Sequence, residues 1–112
     1  MFPDIDRVTR LIEEAAAAEI MPRFRRLAAG DVREKAPGDL VTVADEAVEA
    51  RLAPLLTSLV PGSIVVGEEA AAADPNLLNR LFDDRPVWII DPVDGTSNFA
   101  EGRPAFAAMV AL

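Results

Sequence analysis

The chain has no cysteine, no histidine and no tyrosine, and a single tryptophan, in 112 residues. Without cysteine there is no disulfide framework, thiolate nucleophile or sulfur-based zinc site. Without histidine there is no Ser-His-Asp triad and no imidazole base or metal ligand. Basic residues are scarce as well: eleven Lys and Arg against nineteen Asp and Glu leave a net charge of −8. A nucleic-acid surface needs a basic patch, so that class of partner is set aside. An anionic ligand would be repelled unless cations gather first. Any chemistry falls to carboxylates, hydroxyls, Lys, Arg and backbone amides, and oxygen-rich sites of that kind suit Mg²⁺, Mn²⁺ or Ca²⁺. No apolar run approaches the length of a bilayer span. The opening MFPDIDRVTR mixes charges and leads into no apolar core, unlike a signal peptide. These features read as a soluble cytoplasmic protein without a membrane partner.

Half the residues are apolar and about a quarter charged, an ordinary globular composition. A chain of this length forms one domain at most and buries roughly two-thirds of its unfolded surface. From Asp4 to about Ala28 the apolar residues Ile5, Val8, Leu11, Ile12 and Ala15 recur at helical spacing, which predicts an amphipathic helix. Pro22 should kink or divide it. Gly30 to Asp39 reads as a polar loop. Thr42 and Asp45 fit a capping box that opens a second helix, with Val48, Leu52, Leu55, Leu56 and Leu59 as its inner stripe. Pro54 suggests a bend, and Pro61–Gly62 a stop. Short strands are predicted at Ser63–Val66, Val87–Ile90 and Ala105–Leu112, with a short helix at about Asn76–Phe82 in the loop between the first two. Helices followed by strands suggest an α+β or layered α/β/α arrangement. Three short strands make a poor sheet, so residues 1–112 read as the front part of something longer.

The segment WIIDPVDGTSNF, Trp88 to Phe99, poses the functional question. It delivers Asp91 and Asp94 to the end of an apolar strand with no Lys or Arg between Pro86 and Glu101 to pair them. Buried charge of that kind is costly unless it is paired or bound to metal. Glu68 and Glu69 end the preceding strand. Neighbouring strands lie ~4.8 Å apart, so carboxylates at matching ends can share one ion. Asp94 can curl back over the same spot if Pro92 forces a turn. Gly95 permits close backbone approach, and a helix beginning at Thr96 would present amides to an anion. Two metals ~3.5–4 Å apart would suit a phosphoryl transfer.

These residues also resemble a known family. GEE (Gly67 to Glu69), the twelve-residue WIIDPVDGTSNF and the preceding DLVTVAD (Asp39 to Asp45) are similar, in that order, to the inositol monophosphatase family of Mg²⁺-dependent, typically lithium-sensitive sugar-phosphate phosphatases. The resemblance covers most of the chain. It implies the family's layered α/β/α fold, with two N-terminal helices followed by a mainly antiparallel sheet, and hydrolysis of a small sugar or polyol phosphate by metal-activated water. Carried over, it implies that Glu68, Asp91 and the carbonyl of Val93 hold one Mg²⁺. Asp91 and Asp94 would hold another, and Glu69 would stand beside the site or serve a weaker third ion. Backbone amides of Gly95 and Thr96 would receive the phosphate, and the Thr96 hydroxyl with Asp45 would orient and deprotonate the attacking water. Relatives of this kind are commonly homodimers.

One element of the family pattern is missing. A later tryptophan–aspartate pair supplies another metal carboxylate in the family, whereas the only Trp here is Trp88, followed by Ile89. The expectation is therefore the N-terminal part of a single phosphatase domain, with weak metal binding and little turnover on its own. The alternative from another class is a non-catalytic metal-binding or partner-completed module. Haloacid dehalogenase phosphatases are the nearest rival enzyme, but their two aspartates are separated by one residue and not two. Lys35 reads as a solvated loop lysine, and Trp88, Phe99 and Phe106 as core.

Overall fold

The computed structural model describes residues 3–112; Met1 and Phe2 lie outside them. It is mixed helix and strand, in the order α1 (Ile5–Ala15), β1 (Val32–Ala36), β2 (Asp39–Thr42), α2 (Val43–Leu59), β3 (Ile64–Gly67), α3 (Glu68–Ala73), β4 (Val87–Asp94), α4 (Thr96–Ala100) and β5 (Ala107–Ala111). The expected α+β class holds.

The first helix is shorter than its pattern. It starts at Asp4, whose side chain accepts the amide of Asp6, widens to a π turn over Ala16–Ile20, and closes in a 3-10 turn at Met21–Arg23. Pro22 has no amide to donate and its ring crowds the carbonyl one turn earlier, so the widened turn accommodates it and the helix ends. Arg25 then takes φ 61° and turns the chain away. Ile5, expected on the inner face, is 77% exposed.

Gly30–Asp39 is not a loop. Strands β1 and β2 pair antiparallel, Val32 opposite Thr42, around a turn at Pro37–Gly38 where Gly38 has φ 75°. Proline fixing the first turn dihedral and glycine accepting the left-handed second one is ordinary hairpin chemistry.

α2 is the organising element. The Thr42–Asp45 capping box forms as expected, and the helix runs through Pro54 to Leu59. Val48, Leu52 and Leu56 are buried, whereas Leu55 turns outward. The buried face packs on β4, where Trp88 and Ile90 meet it with Ala15, Ile20 and Phe99. Trp88 satisfies its indole N–H on Ser63 Oγ at 3.2 Å.

The larger sheet has the order β3-β4-β5. β3 runs parallel to β4, Ile64 opposite Val87 through Gly67 opposite Ile90, with α3 and a 3-10 segment at Pro75–Phe82 making the crossover. β5 is antiparallel to β4. The sheet is thus mixed, and antiparallel pairing predominates only when the β1–β2 hairpin is included.

β4 runs to Asp94, past the expected end at Ile90. Asp91 pairs with Met109 and Asp94 with Ala107, so three steps on β4 match two on β5. This is a bulge, and Pro92 sits inside it, where the ladder requires no amide. Pro92 therefore forces no turn. In a regular strand Asp91 and Asp94 would point to opposite faces. The extra residue reverses the parity, and both share the face of Met109 and Ala107.

Candidate functional site

Three local devices bring the acids together. β3 ends at Gly67 and leads directly into α3, so Glu68 and Glu69 occupy its first turn. The bulge in β4 turns Asp91 and Asp94 to one side. Gly95, at φ 86°, then reverses the chain into α4; a Cβ there would stand 2.7 Å from the Ala105 carbonyl oxygen. The result is a cleft of about 230 Å³ lined by Glu68, Asp91, Val93, Asp94, Gly95 and Thr96, with Gly38–Leu40 of the hairpin on one side.

The Asp91 carboxyl lies against that of Glu68, and Asp94 and Asp45 add further negative charge nearby. Its Oδ1 is sealed from solvent and has no hydrogen-bond partner among the described residues. Burial, with the neighbouring Glu68, pushes the Asp91 pKa up to about 7. A buried acceptor against a second acceptor, with no donor between them, is the arrangement a cation relieves. The donor set is all oxygen, as Mg²⁺ requires. The residues thus fit a divalent ion in chemistry, although among the described residues no three acids converge into a ready metal-binding group.

Lys35 is not solvated. Its Nζ stands 3.2 Å from Glu68 Oε1 and 3.2 Å from Glu69 Oε1. Burial opposes its charge, but hydrogen bonds to Glu68 and Glu69 outweigh that and raise its pKa. Glu69 is pushed up to about 7 by burial, against the pull of Lys35. The signal for Lys35 lay in the hairpin: once β1 and β2 pair, Lys35 is anchored and can reach across to the start of α3.

Asp45 is fully buried and divides its oxygens. Oδ2 accepts the Thr42 amide and hydroxyl, both at 2.7 Å. Oδ1 accepts the Thr96 hydroxyl at 2.9 Å. Thr96 Oγ1 is also 2.8 Å from the Val93 carbonyl, and its single proton can serve only one acceptor at a time. Asp45 therefore caps α2 with one oxygen and holds Thr96, which lines the cleft, with the other. Asn98 donates to the Ala105 carbonyl at 2.9 Å and braces the loop after α4.

Glu49 escaped sequence reasoning. It is 8% exposed, and its two carboxylate oxygens accept the amides of Glu69 and Ala70, each at 2.8 Å. The available signal was an acid one helical turn after Asp45, beside the apolar stripe at Val48 and Leu52.

The profile of the inositol monophosphatase family matches residues 4–112. Inositol monophosphatase 1 of Sus scrofa is 40% identical over 77 residues, 69% of this chain and 27% of that protein. The inositol-1-monophosphatase SuhB of Mycobacterium tuberculosis is 42% identical over 82 residues, 72% of this chain and 28% of that protein. The chain thus spans 27–28% of the length of these relatives. The solved structure of the Thermotoga maritima IMPase superposes with a TM-score of 0.72 at 23% identity, over 96% of this chain and 38% of that one. The suppressor protein SuhB of Bartonella henselae gives 0.64 at 24% identity, over 94% and 39%. These structures share the fold, and the profile match extends over nearly every residue: the chain belongs to the inositol monophosphatase family.

Proposed function

We propose that residues 1–112 are one part of a single phosphatase domain that hydrolyses inositol monophosphate or a related small sugar or polyol phosphate with Mg²⁺. The observation that carries this reading is the Asp91 carboxyl, its Oδ1 without a partner among the described residues, against Glu68 in a cleft that Thr96, held by Asp45, also lines. Glu68, Asp91 and the Val93 carbonyl would hold one ion, Asp91 and Asp94 a second, with Glu69 beside them or serving a weaker third. Bound Mg²⁺ would lower the pKa of a water and neutralise the phosphate charge.

The chain's own residues do the rest. Thr96 donates its proton to Asp45, which leaves an Oγ1 lone pair to accept a hydrogen bond from the attacking water. That bond aims the water's free electron pair at phosphorus. As the new P–O bond forms the ester P–O bond breaks, and the departing alcohol oxygen takes a proton from solvent. The attacking water's proton leaves through Thr96 toward Asp45. The amides of Gly95 and Thr96, at the start of α4, have no partners within the helix and would receive phosphate oxygens. Lys35 offsets the negative charge of Glu68 and Glu69 that would otherwise repel the substrate.

Family membership favours this metal-activated water over an aspartyl nucleophile of the haloacid dehalogenase kind. It also carries the wider expectations of a Mg²⁺-dependent, lithium-sensitive, cytoplasmic homodimer for the intact enzyme. A second reading is favoured by two observations, the absence of a three-acid group among the described residues and the 27% coverage of the relative from Sus scrofa. In it residues 1–112 alone do not turn over substrate, and serve as a metal-binding module or one that a partner completes. Calorimetry with Mg²⁺ and a phosphate-release assay on inositol monophosphate separate the two. Release that requires Mg²⁺ and is lost in Asp91→Asn supports catalysis, binding without release supports the second reading, and an aspartyl-phosphate trapped on Asp91 would overturn the mechanism.

A further inference from the structure

A carboxylate as buried as Glu49 must be answered by donors. Among the described residues no Lys or Arg pairs with it; the amides of Glu69 and Ala70 answer it instead, one on each oxygen at 2.8 Å. Those amides belong to the turn that carries Glu68. One helical turn earlier, Asp45 holds Thr96, the first residue of α4 just past the end of β4. Residues four apart on a helix share a face, their Cβ atoms about 5–6 Å apart, close to the ~4.8 Å between adjacent strands. A single face of α2 thus grips the ends of β3 and β4 together.

Gly67 completes the arrangement. Its φ is −95°, which any residue adopts, so backbone freedom does not explain a glycine there. Space does: a methyl group at this position would overlap the Glu49 carboxyl.

From this we propose that Glu49 is a positioning residue that fixes Glu68 against Asp91 by clamping the Glu69 and Ala70 amides to α2. The role rests on the metal-site reading above, and the cycle below separates the two. Replacing groups that orient metal ligands typically costs 10–100-fold in metal affinity. Mg²⁺ affinity is measured by calorimetry on the full chain, well below the melting temperature of each variant. Glu49→Gln presents an NH₂ group to one of the two amides, and its affinity should fall about tenfold. Gly67→Ala, which evicts the same carboxylate, should show a similar loss, and the double variant should lose no more than the worse single one. Glu46→Gln, at an exposed acid on the same helix paired with Arg33, should bind as wild type does.

A cap that only stabilised α3 would lower the melting temperature and leave the affinity of the folded protein unchanged. That result in Glu49→Gln, or losses that add in the double variant, overturns the positioning role. Should Glu49→Gln fail to fold, Glu49→Asp keeps the charge, withdraws it by one methylene, and is held to the same criterion. A wild type that does not bind Mg²⁺, or an Asp91→Asn that binds as well as wild type, overturns the metal reading and this role with it. Wild-type binding, lost in Asp91→Asn and unchanged in Glu49→Gln, overturns the role of Glu49 alone.

Discussion

At the end of β4 the chain is shaped mostly by its own sequence. A bulge houses Pro92, Gly95 reverses direction at φ 86°, and Thr96 reaches back to the Val93 carbonyl at 2.8 Å. At the end of β3 the shaping groups come from elsewhere, Glu49 from α2 and Lys35 from the β1 strand. Both ends deliver acids to one cleft. One does so through backbone geometry, which costs little to maintain once the bulge and glycine are in place; the other does so through long-range charge contacts. Damage to the first should appear as lost stability, and damage to the second as lost affinity. Each experiment below tests that division.

The largest effect is expected at Asp91, which stands in the cleft itself and belongs to neither positioning device. Asp91→Asn removes one carboxylate from the pair and gives the partnerless position an amide that can donate to Glu68. Mg²⁺ affinity should fall by roughly a hundredfold, at or beyond the top of the range for groups that only orient ligands. The metal-free protein should not lose stability, because a like-charge contact has become a hydrogen bond. Calorimetry and thermal melting in a chelator check both halves. A variant that lost stability and kept its affinity would reverse the assignment.

Next in size is Thr96→Val. The side chain keeps its shape, but Asp45 Oδ1, on a fully buried residue, loses the donor the structure gives it. Hydrogen bonds to charged groups contribute about 1.5–3 kcal/mol, so unfolding in urea should show a loss of that order. Thr96→Ser should recover most of it. Any phosphate release should fall in Thr96→Val by about a hundredfold or more, the usual contribution of a positioned proton acceptor, with Mg²⁺ binding retained.

The same division explains what the sequence disclosed. Asp91, Asp94, Gly95 and Thr96 stand within six consecutive residues, and their types state their geometry: proline where no amide is needed, glycine where φ is positive, a hydroxyl at a helix start. Asp45 was legible because a capping box is a local pattern. The bulge was not, because parity within a strand depends on the partner: only the register with β5 shows that three steps face two. Lys35 and Glu49 depend on contacts 33 and 20 residues away, and no local spacing encodes them. The first helix is shorter than its pattern because its apolar period persists past the point where Pro22 ends the hydrogen bonding. The hairpin was missed because Val32–Ala36 is mostly charged, so the Pro37–Gly38 turn was the sole signal.

Two glycines separate the strand ends in the same way. Gly95→Ala meets both a left-handed backbone and the Ala105 carbonyl at 2.7 Å. Left-handed backbone costs a residue with a Cβ about 1–2 kcal/mol, and the melting temperature should fall accordingly. Gly67→Ala incurs no such strain and displaces the end of a flexible side chain. Its stability loss should be the smaller of the two, and its loss of Mg²⁺ affinity should come from the displaced Glu49. Equal stability losses would mean that the two strand ends are not built differently after all.

The smallest effect is the pH dependence of the metal-free protein. Asp91 and Glu69 are both pushed up to about 7, chiefly by burial, from ordinary values of 3.8 and 4.5. A carboxyl raised in the folded state holds its proton there while the unfolded chain has lost its own. Its stabilising contribution is complete below about pH 4 and disappears as the pH rises through 7. Asp91 lines the open cleft, so solvent screening limits its share to about 1 kcal/mol, or roughly 4 °C in melting temperature for a domain of this size, and Glu69 adds to it with the same sign. In a chelator, melting should therefore occur at a lower temperature at pH 8 than at pH 5.5. Mg²⁺ favours the deprotonated acids, so its apparent affinity should rise over the same interval and flatten or reverse the trend. Lys35 stays charged throughout this window and leaves the sign unaltered. A melting temperature that rose with pH in the chelator would mean that these carboxyls are ionised in the folded protein.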